Sequence, residues 1–136
     1  MNHISYSEGY KYVLESDYEM EIPILPEQDI SIRFIKLTKK GLLTIRRDYA
    51  FDGASGPTAD TPSTMRAACV HDALYALLRS GQLDPKYRGV ADLIFRNILL
   101  EDGVFPPRAE LFYRGVATFG EPFIDPKSEK PLLTAP

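Results

Sequence analysis

Apolar positions alternate with polar ones in part of the first half of the chain, and they recur every three or four residues in the second half. Residues 30–34 alternate strictly between apolar and polar side chains, which is typical of a strand with one buried face. Three segments rich in tyrosine, isoleucine, phenylalanine and threonine are predicted to be strands: 10–22, 30–37 and 42–51. A hairpin turn at residues 38–41, with Gly41 supplying a positive φ, is predicted to join the last two.

Helices are predicted at residues 64–79, 86–100 and 107–119, where the apolar period lengthens. Hydroxyls just before residue 64 can cap the first helix, and Ser80-Gly81 ends it. The fold class is therefore α+β, a small N-terminal antiparallel sheet followed by three helices. The first two helices should pack antiparallel because a short turn joins them. Residues 1–120 are predicted to form one domain, and 121–136 an irregular, proline-containing tail.

Composition and charge narrow the class of protein. The chain has 136 residues, 44% apolar and 26% charged, which is the composition of one ordinary globular domain. Its formal net charge of −3 gives no electrostatic footprint for nucleic acid, which is not expected as a partner. The single cysteine, Cys69, lies in an apolar helical run and is predicted to be a buried thiol. With neither a leader nor a long apolar run evident, synthesis in the cytoplasm is expected.

The predicted helices bring together a histidine and an aspartate. On a helical wheel His71 falls inside the apolar stripe of the first helix, and Asp92 borders the apolar stripe of the second. Antiparallel packing would let the two side chains meet in the seam between the helices. An aspartate that accepts a hydrogen bond from one imidazole nitrogen leaves the other as a free base, the arrangement of a general base. His71 and Asp92 are therefore candidate catalytic residues.

Carboxylates close to this pair suggest a cation site. Asp72 lies about 100° from His71 on the wheel, toward the loop that enters the helix from Asp52. Together with Asp52 and a backbone carbonyl of Gly53, it offers the hard oxygen ligands that calcium prefers. The expected metal ligands are therefore Asp72, Asp52 and Gly53, and the expected cofactor is calcium.

The motifs themselves resemble a known family. Asp52-Gly53-Ala54-Ser55-Gly56-Pro57 precedes Arg66-Ala67-Ala68-Cys69-Val70-His71-Asp72-Ala73-Leu74-Tyr75, and the next helix carries Ala91-Asp92-x-x-Phe95. This pattern, over residues 49–120, resembles the phage and prophage family called domain of unknown function thirteen fifty-three. The resemblance implies a phage or prophage context, virion proteins as partners and association with the virion.

The same residues are similar, more distantly, to the phospholipase A₂ superfamily. In that superfamily His-Asp-x-x-Tyr supplies a base, a calcium ligand and an orienting tyrosine, and an aspartate on the facing helix pairs with the histidine. The resemblance implies that His71 is the base, that Tyr75 orients the site and that Asp92 holds the histidine. The expected function is then a calcium-assisted lipid ester hydrolase that acts on a phospholipid or membrane surface. The chain departs from the superfamily in having one cysteine.

Several simpler interpretations stay open. His71 can be a core histidine, and Tyr75 an ordinary core residue, in a non-catalytic phage structural or assembly protein. Asp92 has Arg88 and Arg96 four residues to either side, so a surface ion pair is an alternative. Ser55 with His71 and Asp92 would supply the residue types of a hydrolytic triad, without the spacing of a nucleophile elbow. The acidic residues Glu101 and Asp102 are expected to be solvated.

Overall fold

The computed structural model describes residues 4–7, 12–52 and 62–125. The strands of this part are β1 Tyr6–Ser7, β2 Tyr12–Leu14, β3 Tyr18–Glu21, β4 Ile30–Ile32, β5 Ile35–Leu37, β6 Leu42–Ile45 and β7 Ala50–Phe51. The helices are α1 Pro62–Arg79, α2 Arg88–Glu101 and α3 Pro106–Phe119, with short 3-10 helices at Pro85–Tyr87 and Glu121–Ile124. The antiparallel strands lie N-terminal to these three helices, which confirms the α+β class.

Each long strand that the sequence predicts is divided in the structure. Within the described residues the strands form two antiparallel sheets, with orders β1-β2-β7 and β3-β6-β5-β4. The predicted strand 10–22 changes sheet between β2 and β3, and the predicted strand 42–51 changes sheet between β6 and β7. At this second change Asp48 adopts a φ of 75°, which interrupts extended backbone. Leu14 bridges the change by exchanging backbone hydrogen bonds with Asp48 and Tyr49 at 2.9 and 3.0 Å.

The predicted strand 30–37 is a hairpin, with β4 and β5 paired from Ile32 and Ile35 outward. Phe34 stands in the turn at a φ of 69°, a left-handed conformation that a bulky residue adopts at a cost of about 1–3 kcal/mol. The inward-facing positions are even-numbered up to residue 34 and odd-numbered from Ile35 onward. This change of parity marks the turn, because a single strand keeps one parity on its buried face.

The turn and helix ends follow the sequence closely. Gly41 has a φ of 87°, and its N–H donates to the carbonyl of Thr38 at 2.9 Å, which confirms the predicted hairpin turn. α1 stops before Gly81 and α2 before Gly103, which have φ angles of 81° and 89°. Residues 121–124, at the start of the predicted tail, form a 3-10 helix whose Ile124 packs against the core, and residues 126–136 lie outside the described part of the chain.

The core lies between the sheets and the seam of the helices. Its fully buried side chains include Leu14, Ile35 and Leu43 from the strands and Leu74 and Leu99 from the helices. Because the same apolar cluster joins strands and helices, the helix faces that carry His71 and Asp92 are held against a packed interior. No helix in the described part of the chain has the length and apolar character needed to cross a membrane.

Candidate functional site

The site forms where α1 and α2 pack antiparallel. Their direction follows from two contacts: Arg66 near the start of α1 binds Asp102 after the end of α2, whereas His71, further along α1, meets Asp92 near the middle of α2. His71 Nε2 lies 2.8 Å from Asp92 Oδ1, within the hydrogen-bond distance predicted from the two helical wheels. Asp92 has only 2% of its surface exposed, so this carboxylate depends on protein groups for its hydrogen bonds.

Tyr75 supplies the second of those hydrogen bonds. Its hydroxyl donates to the same oxygen, Asp92 Oδ1, at 2.7 Å, one helical turn along α1 from His71. Burial raises the pKa of Tyr75 well above the usual tyrosine value, and the hydrogen bond to Asp92 raises it further. The phenol therefore stays protonated and donates at any physiological pH. The resemblance gave Tyr75 an orienting role, and the structure places its hydroxyl on the histidine's partner.

Two aromatic rings pack against the imidazole of His71. The Tyr75 ring centroid lies 4.2 Å from it, tilted by 38°, and the Phe95 centroid lies 4.8 Å away, tilted by 44°. The His71 side chain keeps 13% of its surface exposed. Since its hydrogen bond to Asp92 uses Nε2, Nδ1 on the opposite edge of the ring is left for another partner. The ring can therefore neither tilt nor flip without losing contacts that fix it.

The end of α3 closes over the Tyr75 hydroxyl. A side chain at Gly120 would collide with that hydroxyl and with the Val116 carbonyl, so the absence of a Cβ lets α3 end there. Arg88, at the start of α2, donates to the carbonyls of Val116 and Ala117 at 3.2 and 2.8 Å. The positive charge of the Arg88 guanidinium also opposes the rise in the pKa of Tyr75. The last turn of α3 and Arg88 together position Tyr75.

Asp72 is anchored from the strand side of the molecule. The Tyr49 hydroxyl donates a short hydrogen bond to Asp72 Oδ2. Burial raises the pKa of Tyr49 well above its ordinary value, and the negative charge of Asp72 adds to that rise. Burial, and secondarily Asp72, likewise raises the pKa of the Cys69 thiol, which is completely buried as predicted. The Asp72 carboxylate is thus held in place by Tyr49, and its negative charge raises the pKa of both Tyr49 and Cys69.

The predicted calcium ligands are only partly described. Asp52 is exposed and follows directly after β7, while Gly53 and the rest of the loop lie outside the described residues. In the ranges that are described, no group of three or more histidine, cysteine or acidic side chains is arranged to hold a metal. Asp72 and Asp52 offer carboxylate oxygens of the kind that calcium accepts, and Gly53 would have to supply a backbone carbonyl. The predicted calcium site stays a prediction.

The alternative prediction, an ion pair of Asp92 with Arg88 or Arg96, is wrong. Arg88 reaches the end of α3, and Arg96 lies over the Tyr113 ring, 5.2 Å from its centroid. Neither arginine binds Asp92, whose carboxylate is inside the helix seam. Ser55, the nucleophile of the alternative triad, lies outside the described residues.

Arg66 is a functional-looking residue that sequence reasoning missed. It is 5% exposed and its guanidinium binds Asp102 through two nitrogens at 3.0 and 2.9 Å, Glu101 at 2.7 Å and the Tyr18 hydroxyl at 2.9 Å. The expectation that Glu101 and Asp102 are merely solvated is therefore wrong. The missed signal is that Arg66 shares a helix face with Cys69 and Ala73 in the apolar stripe, where a cation needs anionic partners.

The geometry defines a small α+β protein with a buried histidine–aspartate–tyrosine cluster in an antiparallel helix seam. The chain belongs to the family described as protein of unknown function (DUF1353), whose model matches residues 31–116. The matched region covers α1, α2 and most of α3, including every residue of the cluster. Comparison with curated proteins and with solved structures gives no match.

Proposed function

We propose that the protein is a phospholipase A₂-like, calcium-assisted lipid ester hydrolase in which His71 is the general base. The observation that supports it is the cluster on Asp92 Oδ1, which accepts from His71 Nε2 at 2.8 Å and from Tyr75 at 2.7 Å. A base, its carboxylate partner and an orienting phenol are the parts that the phospholipase A₂ resemblance implies at these three positions. The phospholipid bilayer is the proposed substrate.

The chemistry of the proposed base follows from hydrogen-bond roles. An ionised carboxylate only accepts, so Asp92 requires the proton of His71 on Nε2 and leaves the lone pair on Nδ1. Nδ1 would take a proton from a water molecule as the water attacks the ester carbonyl, and later return it to the leaving alcohol. Tyr75 and Phe95 hold the ring plane, so the lone pair keeps one direction. The hydrogen bond from the Tyr75 hydroxyl would also stabilise the negative charge of Asp92 while the imidazole is protonated.

Calcium would lie beside this base. Asp72 and Asp52 would hold it with the backbone carbonyl of Gly53, and its chemistry would be Lewis-acid stabilisation of the ester oxyanion. Tyr49 would keep the Asp72 carboxylate fixed whether or not the cation is bound. Since a ligand that binds only the folded state stabilises it, millimolar calcium should raise the melting temperature of the wild type. Asp72→Asn should remove that rise.

A second candidate function is a non-catalytic phage structural or assembly protein. The observation in its favour is burial: Asp92 is 2% exposed and Arg66 5%, so both ionic clusters pin the register of α1 against α2. In this function the cluster serves only to select one packing of the two helices, and the partners are virion proteins. The phage context, cytoplasmic synthesis and virion association all come from the family resemblance and the sequence, and they belong to both candidates.

Two variants separate the candidates. If His71 is the base, His71→Gln should lower hydrolysis of mixed phospholipid vesicles with calcium by roughly 10²–10⁴-fold while the protein stays folded. Asp92→Asn should also lower activity, because an amide favours the wrong imidazole tautomer. The matched control is Asp84→Asn, an exposed aspartate whose carboxylate accepts from the Lys86 backbone N–H at 2.9 Å.

The opposite outcome defines the second candidate. A folded wild type that hydrolyses neither phospholipids, lysophospholipids nor simple esters with calcium present would contradict the hydrolase. If His71→Gln and Asp92→Asn then lose about 1–3 kcal/mol of stability, as expected for a disturbed buried polar pair, the cluster serves the fold alone.

A further inference from the structure

Charge is strongly segregated along the chain. Residues 30–47 contain no aspartate or glutamate but carry six cations: Arg33, Lys36, Lys39, Lys40, Arg46 and Arg47. Since the formal charge of the whole chain is −3, this segment at +6 leaves −9 on the remainder. The segment is β4, β5, β6 and their two turns, so the positive charge belongs to one connected piece of sheet.

All six of these side chains are exposed, and we call them the basic surface. Within the described residues the ion pair recorded for the basic surface is Arg47 with Asp48, a long contact of 3.9 Å. Lys36 lies between buried Ile35 and Leu37, so it projects from the solvent face of β5. Exposed cations that outnumber the acids beside them, here Asp17, Asp29 and Asp48, repel one another, and an external anionic partner relieves that repulsion.

A chain of side-chain contacts connects one end of the basic surface to the candidate site. The Arg33 guanidinium lies over the Phe34 ring, 5.1 Å from its centroid, and that ring lies 6.4 Å from the Tyr49 ring. The Tyr49 hydroxyl binds Asp72, the neighbour of His71 in α1. Arg46 is at the same end, because its N–H donates to the Phe34 carbonyl at 2.7 Å. Three contacts therefore lead from the basic surface to the site.

The other end combines charge with an exposed apolar side chain. Leu25, 60% exposed, packs beside Gly41 in the turn that carries the two lysines. Acidic side chains bound the surface there: the carboxylate of Asp29 accepts from a backbone N–H in the turn at 2.9 Å, and Glu27 precedes it. On the far edge of the sheet β3 carries two further acids, so the positive potential faces outward from the β4–β5 side. Cations around an exposed leucine are suited to a lipid headgroup layer.

We propose that the basic surface docks the protein on an anionic lipid bilayer, with its Arg33 and Arg46 end turned toward the lipid that enters the His71 site. The inference rests on the proposed function, which makes a bilayer the substrate. A flat anionic surface meets the basic surface alone, whereas a polyanion that wraps the molecule also meets the excess of nine negative charges elsewhere. Charge complementarity and the short path to the site therefore favour a membrane over nucleic acid.

Vesicle sedimentation tests the docking without any need for turnover. Wild-type protein should bind vesicles of phosphatidylcholine and phosphatidylglycerol, bind pure phosphatidylcholine far less, and lose binding as salt rises. Each cation near an anionic surface contributes about five-fold in partitioning, so the double variant Arg33→Gln with Arg46→Gln should bind roughly 25-fold more weakly. The matched control, Lys86→Gln with Arg114→Gln, makes the same change of net charge on the helices and should change binding by less than about two-fold.

Several results would overturn the docking. Equal binding to neutral and anionic vesicles, or equal losses in the two double variants, would show that the basic surface is not the contact. Tighter binding of a single-stranded oligonucleotide than of anionic vesicles at the same residues would assign the surface to nucleic acid. Sedimentation and ester hydrolysis measured on the same wild-type preparation separate this proposal from the enzymatic one. Charge-dependent binding that persists in a preparation without ester hydrolysis supports docking while the hydrolase fails.

Discussion

Replacing Tyr75 with phenylalanine tests the cluster at its most buried hydrogen bond. The change removes one of the two donors to Asp92 Oδ1, the one at 2.7 Å, and keeps the ring that packs on His71. A hydrogen bond to a charged group typically contributes about 1.5–3 kcal/mol, and Asp92, 2% exposed, has little access to water as a substitute. We expect Tyr75→Phe to lower the free energy of unfolding by about 2 kcal/mol. For a chain of this size the melting temperature should fall by about 6–10 °C.

Urea denaturation with a shared m-value measures this loss, and Tyr113→Phe is its matched control. The Tyr113 ring lies under the Arg96 guanidinium, and its hydroxyl has no recorded hydrogen bond in the described part of the chain. Removing that hydroxyl should change stability by less than about 0.5 kcal/mol. Equal effects of the two substitutions would refute the view that Asp92 depends on Tyr75.

Gly120→Ala provides a second approach to the same hydrogen bond. The new methyl group would collide with the Tyr75 hydroxyl and push it away from Asp92, which should destabilise the protein. In the Tyr75→Phe background no hydroxyl is present to displace, so the alanine should cost less there. A double-mutant cycle measures this coupling, which should exceed about 0.5 kcal/mol for groups in contact. If the effects of the two substitutions simply add, Gly120→Ala does not act through the Tyr75 hydroxyl.

Three further outcomes are expected from the buried groups. Burial raises the pKa of both Tyr49 and Tyr75. Their contribution to stability is therefore complete below the ordinary tyrosine pKa of about 10 and is lost as the pH rises through the higher folded values. In a titration, phenolate absorbance of these two residues should appear together with unfolding rather than before it. Arg66→Met should cost about 2–4 kcal/mol in urea denaturation, less than a fully buried pair because Glu101 is 59% exposed, and a loss under about 0.5 kcal/mol would contradict the clamp. Burial raises the pKa of the Cys69 thiol, so a disulfide reagent should react at the rate of unfolding, and immediate reaction in native buffer would refute that burial.

The helices were predictable from the sequence, and the strands were predictable only as a class. Stripes of apolar side chains and the glycines after α1 and α2 place the helix ends within about two residues of those observed. The strands divide at residues whose backbone departs from extended geometry, Phe34 and Asp48. Phenylalanine is not a residue that indicates a left-handed turn, so only the change of buried parity after residue 34 could have shown the division.

The meeting of His71 with Asp92 was predictable because it needs just two facts, the wheel position of each residue and the antiparallel packing of neighbouring helices. The contacts that hold this pair in place were not predictable. Gly120 reaches Tyr75 only because α3 ends against α1, and Arg88 finds the end of α3 instead of Asp92. Such contacts depend on how a third element is placed in space, which the periodicity of a single helix does not determine.

The contacts of Tyr18 and Gly120 show that the folded unit extends beyond the region that the family model matches. The family model spans residues 31–116, yet Tyr18 binds Arg66 and its strand, β3, pairs with β6 along four residue pairs. A chain cut to those limits would turn β6 into an open edge whose unpaired N–H and C=O groups invite aggregation. It would also remove Gly120 and the 3-10 helix that follows, uncovering the Tyr75 hydroxyl. Domain limits for expressing relatives should therefore be set by these contacts and extend past both ends of the recognised match.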